Sequence, residues 1–386
     1  MAQAYSTRAT QDLPKISKEI CNALIKDLEE AKRPVLYATK CSLDNSLYDH
    51  KIGYLRPGDK KVATELNVSS VKKMSRAIFL LEVLLRNVDT GGVNTKRELY
   101  YIAKGEIKHN PALKPLDFGD QDESDSIIDF ICEMLECYRE DLNCYANDRG
   151  GQTYSQQLIV TETLPDGDKA VIELSKLGTT AFQPKNRPQN LKLSMSKKID
   201  FCLVVESEGT ANTLQSMGFT KRNNAILIGA GGVPSNATRG WCRLIQEELE
   251  VPMYFFGDLD AYTMQNIFRT LKAGSAASLI RNAHFSAPSV KFLGVLPDDV
   301  KRYDLPYYNV KENDPAEARQ LKKAKDALEN DPFFLDKKNK GLADILRWLM
   351  KEKIRCEQQS LFSVDPNDPI KMEKIILEKI KKGWYV

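Results

Sequence analysis

Residues 199–206 read Ile199-Asp200-Phe201-Cys202-Leu203-Val204-Val205-Glu206, and residues 252–260 read Pro252-Met253-Tyr254-Phe255-Phe256-Gly257-Asp258-Leu259-Asp260. Each is a short apolar run that ends in acid. Short runs rich in β-branched and aromatic side chains predict strands buried on both faces, as in a parallel sheet. Their surroundings fit: a helix over 210–217, a strand over 225–228, a helix over 237–249, then a helix over 262–271 and a strand over 290–295. That alternation predicts an α/β layer structure with a parallel sheet. In such sheets functional side chains gather where the strands end. If the two quoted strands are neighbours, Glu206, Asp258 and Asp260 converge on one edge, a hard-oxygen set that suits Mg2+. The competing reading makes Asp258 and Asp260 caps of the next helix and Glu206 a solvated loop acid, since Asp starts helices without any metal.

Between the two acidic elements lies a glycine loop, Gly229-Ala-Gly-Gly-Val-Pro234, ahead of the helix over 237–249, whose first turn carries Arg239. Such a loop either approaches a phosphate closely or serves as a flexible turn. It lacks the Gly-Lys-Ser/Thr ending of a Walker A loop, which excludes an ATP site there. Arg239 is then a phosphate contact or a solvated cation.

Upstream, apolar spacing at Ile16, Ile20, Leu24, Ile25 and Leu28 predicts a helix, and 34–38 a short strand; 42–60 holds turn-formers and charge. Residues 1–65 therefore read as an N-terminal arm. From Ser69 a helical face forms on Val71, Met74, Ala77, Ile78, Leu81, Leu84 and Leu85, stopped by Gly91-Gly92. Thr95 with Glu98 makes a capping box that starts a second helix carrying Leu99, Tyr100, Tyr101 and Ala103. A third helix covers 124–138. Strands over 157–162 and 170–174 are joined by Pro165-Asp166-Gly167, a hairpin signal. Three helices and a hairpin make a winged-helix plan, which commonly lays one helix in a DNA major groove. The expected organisation is α/β multidomain: arm 1–65, winged-helix domain 66–185, a polar linker at 186–190 and a parallel-sheet domain 186–386 with a charged helical extension from Asp314.

The 386 residues suit two or three domains, and 42% hydrophobic with 28% charged residues is ordinary globular composition. A formal net charge of +3 gives no global polycation, so a nucleic-acid partner needs a local basic surface. No apolar run reaches the roughly 20 residues that span a bilayer, and 1–13 is polar, without a signal-peptide core. A cytoplasmic, nucleoid-associated protein is expected, or a nuclear one in a eukaryote. Eight cysteines without a Cys-x-x-Cys pair, and three histidines away from them, point to free, mostly buried thiols rather than structural zinc.

Taken together, Glu206, Gly232-Val-Pro234 with Thr238-Arg239, and Asp258-Leu-Asp260 resemble a Toprim domain. Thr95-Lys-Arg-Glu-Leu-Tyr-Tyr101 closely resembles the tyrosine motif of the winged-helix (CAP-like) domain in the A subunits of topoisomerase VI, relatives of the meiotic double-strand-break proteins. Asp44-Asn-Ser-Leu-Tyr48-Asp49 resembles that family's N-terminal segment, and Arg355-Cys-Glu357-Gln-Gln359 a glutamate-containing helix near its C-terminus. The resemblance spans nearly the whole chain in the family's order.

It implies a type IIB DNA topoisomerase subunit that makes double-strand breaks by transesterification, leaving a 5′-phosphotyrosyl link. It places the nucleophile at Tyr101, a phosphate-binding group at Arg97, Mg2+ on Glu206, Asp258 and Asp260, and DNA contacts at Lys96 and Arg239. The implied partners are double-stranded DNA, a second copy of the chain, and a GHKL-type ATPase B subunit in an A2B2 heterotetramer that passes a second duplex; no membrane is involved. Two departures stand out: Ala261, Tyr262 and Thr263 follow where the family continues with Pro and then Gly, and Ser207 replaces a basic residue. A stand-alone break factor without a B subunit and a non-catalytic DNA-binding scaffold are the alternatives.

Overall fold

Gly91 ends the helix Val71–Thr90 in the left-handed conformation (φ 69°) that glycine alone adopts without strain. This turn frames a helical unit in the computed structural model, which describes residues 12–145, 149–164, 166–185, 190–311 and 313–386. Pro165 of the expected hairpin turn, most of the expected linker (186–189) and nearly all of the polar N-terminus lie outside the described residues. The chain divides into two units. Described residues 12–46, 56–145 and 276–281 form the first, and 47–55, 149–275 and 282–386 the second.

The first unit is built on α1 (Leu13–Glu29), α2 (Val71–Thr90), α3 (Lys96–His109) and α4 (Gln121–Leu135). Its core joins Leu80, Leu81 and Leu84 to Leu99, Ala103, Ile128, Ile131 and Leu135, and the N-terminal arm adds Leu13, Leu24, Leu36 and Ala38. Strand Val35–Thr39 pairs antiparallel with Lys61–Glu65. Asn94–Thr95 pairs parallel with Cys144–Tyr145, which fixes the segment that leads into α3. Arg281, on the excursion 276–281, pairs with Asp129 of α4.

The second unit centres on five strands, β1 (Gln152–Tyr154), β2 (Phe201–Val205), β3 (Ala225–Gly229), β4 (Met253–Phe256) and β5 (Lys291–Phe292), in the order β5-β4-β2-β3-β1. β2 through β5 run parallel and β1 caps one edge antiparallel. Every residue of β2, β3 and β4 is buried, which is why their sequences show no alternation. Helix α5 (Glu208–Ser216) connects β2 to β3, and α6 (Asn236–Leu249) connects β3 to β4. Phe255, Phe268 and Phe292 pack with ring centroids 5.2–6.0 Å apart, in the offset range aromatic pairs favour. The predicted hairpin forms between Leu158–Thr163 and Lys169–Glu173, and its first strand also pairs with Leu191–Met195, so this three-stranded sheet belongs to the second unit. The eight cysteines are free thiols, six of them buried. Among the described residues no helix is long and apolar enough to cross a membrane.

The helical extension is fastened to the sheet by buried ions. Arg269 donates to Asp331 from Nε and Nη2 at 3.0 and 2.7 Å. Lys379 donates to the Gly294 carbonyl at 2.6 Å and pairs with Asp299, both side chains shut off from water. Removing one partner of such a pair strands a buried charge. Lys379→Met is therefore expected to destabilise this unit by about 3–5 kcal/mol, read as a lowered denaturant midpoint. An unchanged midpoint would contradict this account.

Candidate functional site

The pairing of β2 with β4 runs to the last residue before the acids. Val205 lies opposite Phe256, and the Glu206 amide donates to the Phe256 carbonyl at 2.9 Å. From β2 the chain crosses to β3 on one side and then returns to β4 on the other. Connections that leave in opposite directions open a crevice at the carboxyl ends of the two strands. Glu206 and Asp258 stand at that switch point.

The local contacts are tight. The Asp258 amide donates to Glu206 Oε2 at 3.1 Å. A Cβ on Gly257 would fall 2.6 Å from the same oxygen and 2.5 Å from the Phe255 ring, so only glycine lets the backbone pass. The Thr263 hydroxyl lies 3.2 and 3.0 Å from the two Glu206 oxygens, and its amide donates to Asp260 Oδ1 at 2.6 Å. A bridge between Leu259 and Cys356 brings in a distant segment, whose Gln358 amide donates to Asp258 Oδ1 at 2.8 Å. The Gly232 amide donates to the Glu206 carbonyl at 2.9 Å, which puts the glycine loop on the same edge. Gly231 and Gly232 both take positive φ there.

Burial first, then the Asp258 charge, pushes the Glu206 carboxyl up to about 8. Burial lifts Asp258 to about 6; Asp260 and Glu357 add to this while the Gln358 amide opposes it. Both shifts follow from acidic side chains crowded into a half-buried corner. Among the described residues no group of three or more His, Cys, Asp or Glu side chains is already set to hold a metal ion. The donor chemistry nonetheless fits a hard divalent cation. Burial and the neighbouring acids make these carboxylates resist ionisation, a cost a cation would relieve, and the buried Gln358 Oε1 has no hydrogen-bond partner among the described residues.

The other expected residues, apart from Arg239, lie in the first unit, on α3. Thr95 Oγ1 accepts from the Glu98 amide at 3.2 Å and Glu98 accepts from the Thr95 amide at 2.6 Å, the capping box read from sequence. That start sets the phase of the helix. Leu99 and Ala103 face the core, Tyr100 packs against it, and Arg97 and Tyr101, one turn apart, are both exposed. Tyr101 is 59% exposed, its ring set edge-on 5.2 Å from Tyr100. Lys96 pairs with Asp125 at 2.7 Å. Arg239, in the second unit, is turned inward: it is 4% exposed, with Nε donating to the Phe285 carbonyl at 2.6 Å. Ser207 caps α5 by accepting from the Thr210 amide at 3.4 Å.

Thr263 and Gln358 were not singled out from sequence. Thr263 registers there only as a departure after Asp260, and Gln358 appears only inside the Arg355–Gln359 segment, with nothing there to link it to Asp258. The helix expected over 262–271 also differs: Thr263–Phe268 is a π-helix, continuing as Arg269–Ala273. The wider turn opens where Thr263 is held by both its amide and its hydroxyl.

Residues 201–380 match the Toprim-domain model of the topoisomerase 6 A-subunit/Spo11 family, and residues 72–144 match the model described as "Type IIB DNA topoisomerase". The class is thus a Toprim-bearing DNA topoisomerase of type IIB. The type 2 DNA topoisomerase 6 A subunit of Methanocaldococcus jannaschii is 32% identical over 89% of this chain and 88% of its own. Those of Aeropyrum pernix and Pyrococcus horikoshii are each 28% identical, over 88% and 99% of this chain and 87% and 98% of theirs. The chain belongs to the family of topoisomerase VI A subunits.

The raised carboxyls make a prediction for the metal-free protein. A proton held more tightly by the folded chain than by the unfolded one means that stability falls as pH rises between the two values. For Glu206 that window runs from 4.5 to about 8. In chelator, the melting temperature is expected to decline across it, and Glu206→Gln is expected to flatten the decline. An equal slope in the variant would contradict the assignment.

Proposed function

We propose that the chain is a DNA-cleaving subunit in which Tyr101 is the nucleophile and Glu206, Asp258 and Asp260 hold Mg2+. The Tyr101 oxygen attacks a backbone phosphorus; a phosphotyrosyl bond to the 5′ side forms and the bond to the 3′ oxygen breaks. The phenolic proton is lost, and the departing oxygen takes up a proton to become a 3′-hydroxyl. The reverse reaction reseals the strand with no external energy, because one phosphodiester replaces another. Arg97, one turn from Tyr101 on the same exposed face, is placed to neutralise the attacked phosphate. When bound, the cation would offset charge that accumulates on that phosphate.

The observation that carries the reading is the pair of strand ends at the switch point, where Glu206 and Asp258 crowd together and both hold their protons more tightly than usual. Lys96 would exchange Asp125 for a DNA phosphate, whereas Arg239 would first have to leave the Phe285 carbonyl. The proposed organisation is an N-terminal arm to residue 65, a winged-helix cleavage domain over 66–185 and the Toprim domain with its helical extension over 186–386, although the hairpin that would form the wing is grouped with the second unit by its pairing with Leu191–Met195. Two copies would act on one duplex. ATP-driven strand passage is assigned to a separate GHKL-type B subunit, in keeping with relatives that are named as A subunits.

Trapping on supercoiled plasmid tests this, with Mg2+ throughout and with or without ATP plus a B subunit. Detergent added to the reaction should release linear DNA with protein bound to its 5′ ends. Tyr101→Phe should reduce that product to background and Tyr100→Phe should retain it. Product that survives Tyr101→Phe would move the nucleophile elsewhere. Absence of product from folded, DNA-binding protein under every condition would favour a scaffold.

A further inference from the structure

Thr263 is wholly buried, yet each of its polar groups is directed at a carboxylate. Its hydroxyl carries one proton and stands within 3.2 Å of both Glu206 oxygens, so that proton is shared between them. Its amide holds Asp260 at 2.6 Å. One residue on one helical turn therefore ties the acid at the end of β2 to the second acid after β4. A β-branched side chain has few χ1 states, so the hydroxyl has little freedom to look elsewhere. The π-turn that begins at Thr263, with Ile267 and Phe268 buried beneath it, fixes the backbone from which the hydroxyl reaches.

We propose that Thr263 is a positioning residue that holds Glu206 in the orientation required for a divalent cation and so sets the affinity of the site. The proposal rests on the reading of Glu206, Asp258 and Asp260 as cation ligands. Hydrogen bonds that orient a metal-binding side chain typically change affinity 10- to 100-fold when removed. A purely structural role, as a fastening for the helix that follows, predicts something different. Thr263→Val keeps the shape and the amide bond to Asp260 and removes only the hydroxyl, so a fastening role leaves cation affinity where it was.

The test uses the full chain and Mn2+ as the probe, with free Mn2+ followed by electron paramagnetic resonance and the melting temperature recorded alongside. Thr263→Val is expected to weaken Mn2+ binding about 10- to 100-fold, while Thr263→Ser restores it to the wild-type range. Should Thr263→Val fail to fold, Thr263→Ala gives the same readout. Wild-type affinity in the variant lacking the hydroxyl, or equal weakening in Thr263→Ser, would overturn the role of Thr263. Glu206→Gln and Asp258→Asn separate this from a deeper failure. If those two bind Mn2+ like the wild type, or the wild type binds none, the ligand assignment falls and Thr263 with it.

Discussion

β2 and β4 lie side by side and stop together, and that pairing forces two acidic side chains into one half-buried corner. Water would keep such charges apart; the strand register does not allow it. The last shared backbone bond, from the Glu206 amide to the Phe256 carbonyl, sits directly beneath them. Everything around the corner serves to keep the arrangement folded. The Asp258 amide, the Thr263 hydroxyl and the Gln358 amide each donate to a carboxylate that burial would otherwise disfavour. Even so, Glu206 and Asp258 hold their protons more tightly than usual, which marks the corner as a place where stability has been given up. A cation bound there, as proposed, would offset that local cost.

The helical unit solves a different problem. A tyrosine on a helix is normally a packing residue, half buried and unavailable. The Thr95–Glu98 capping box decides otherwise by fixing where α3 begins, and hence which side chains turn inward. Tyr100 joins the core and Tyr101 is left outside with Arg97 on its own face. A shift of one residue in the helix start would exchange the two tyrosines. The parallel pairing of Asn94–Thr95 with Cys144–Tyr145 guards against that shift from the other side.

Much of this was legible in the residues. The strand ends at Glu206 and Asp258, the glycine that closes α2 and the capping box all depend on short-range rules, and each stands where the pattern put it. What sequence could not supply were consequences of long-range packing. That β2 has β4 as its neighbour was only a condition until the sheet order supplied it. Gln358 reaches Asp258 across 100 positions through a bridge that no local pattern encodes. Arg239 read as a phosphate contact or solvated cation on a first helical turn, yet it is buried, with its guanidinium donating to the Phe285 carbonyl and to Asn282. The hairpin was recognisable from its turn, but its third partner, Leu191–Met195, was given no element, because pairing with a strand some thirty residues away leaves no local signal. The π-turn after Asp260 also escaped, because apolar periodicity cannot register one extra residue in a turn.

Anomalous scattering from crystals soaked in Mn2+ would test the central claim most directly, because it locates the ion without reference to activity. A peak enclosed by Glu206, Asp258 and Asp260, lost in Asp258→Asn, is the predicted result. A peak elsewhere, or none at this corner at saturating Mn2+, would contradict the account.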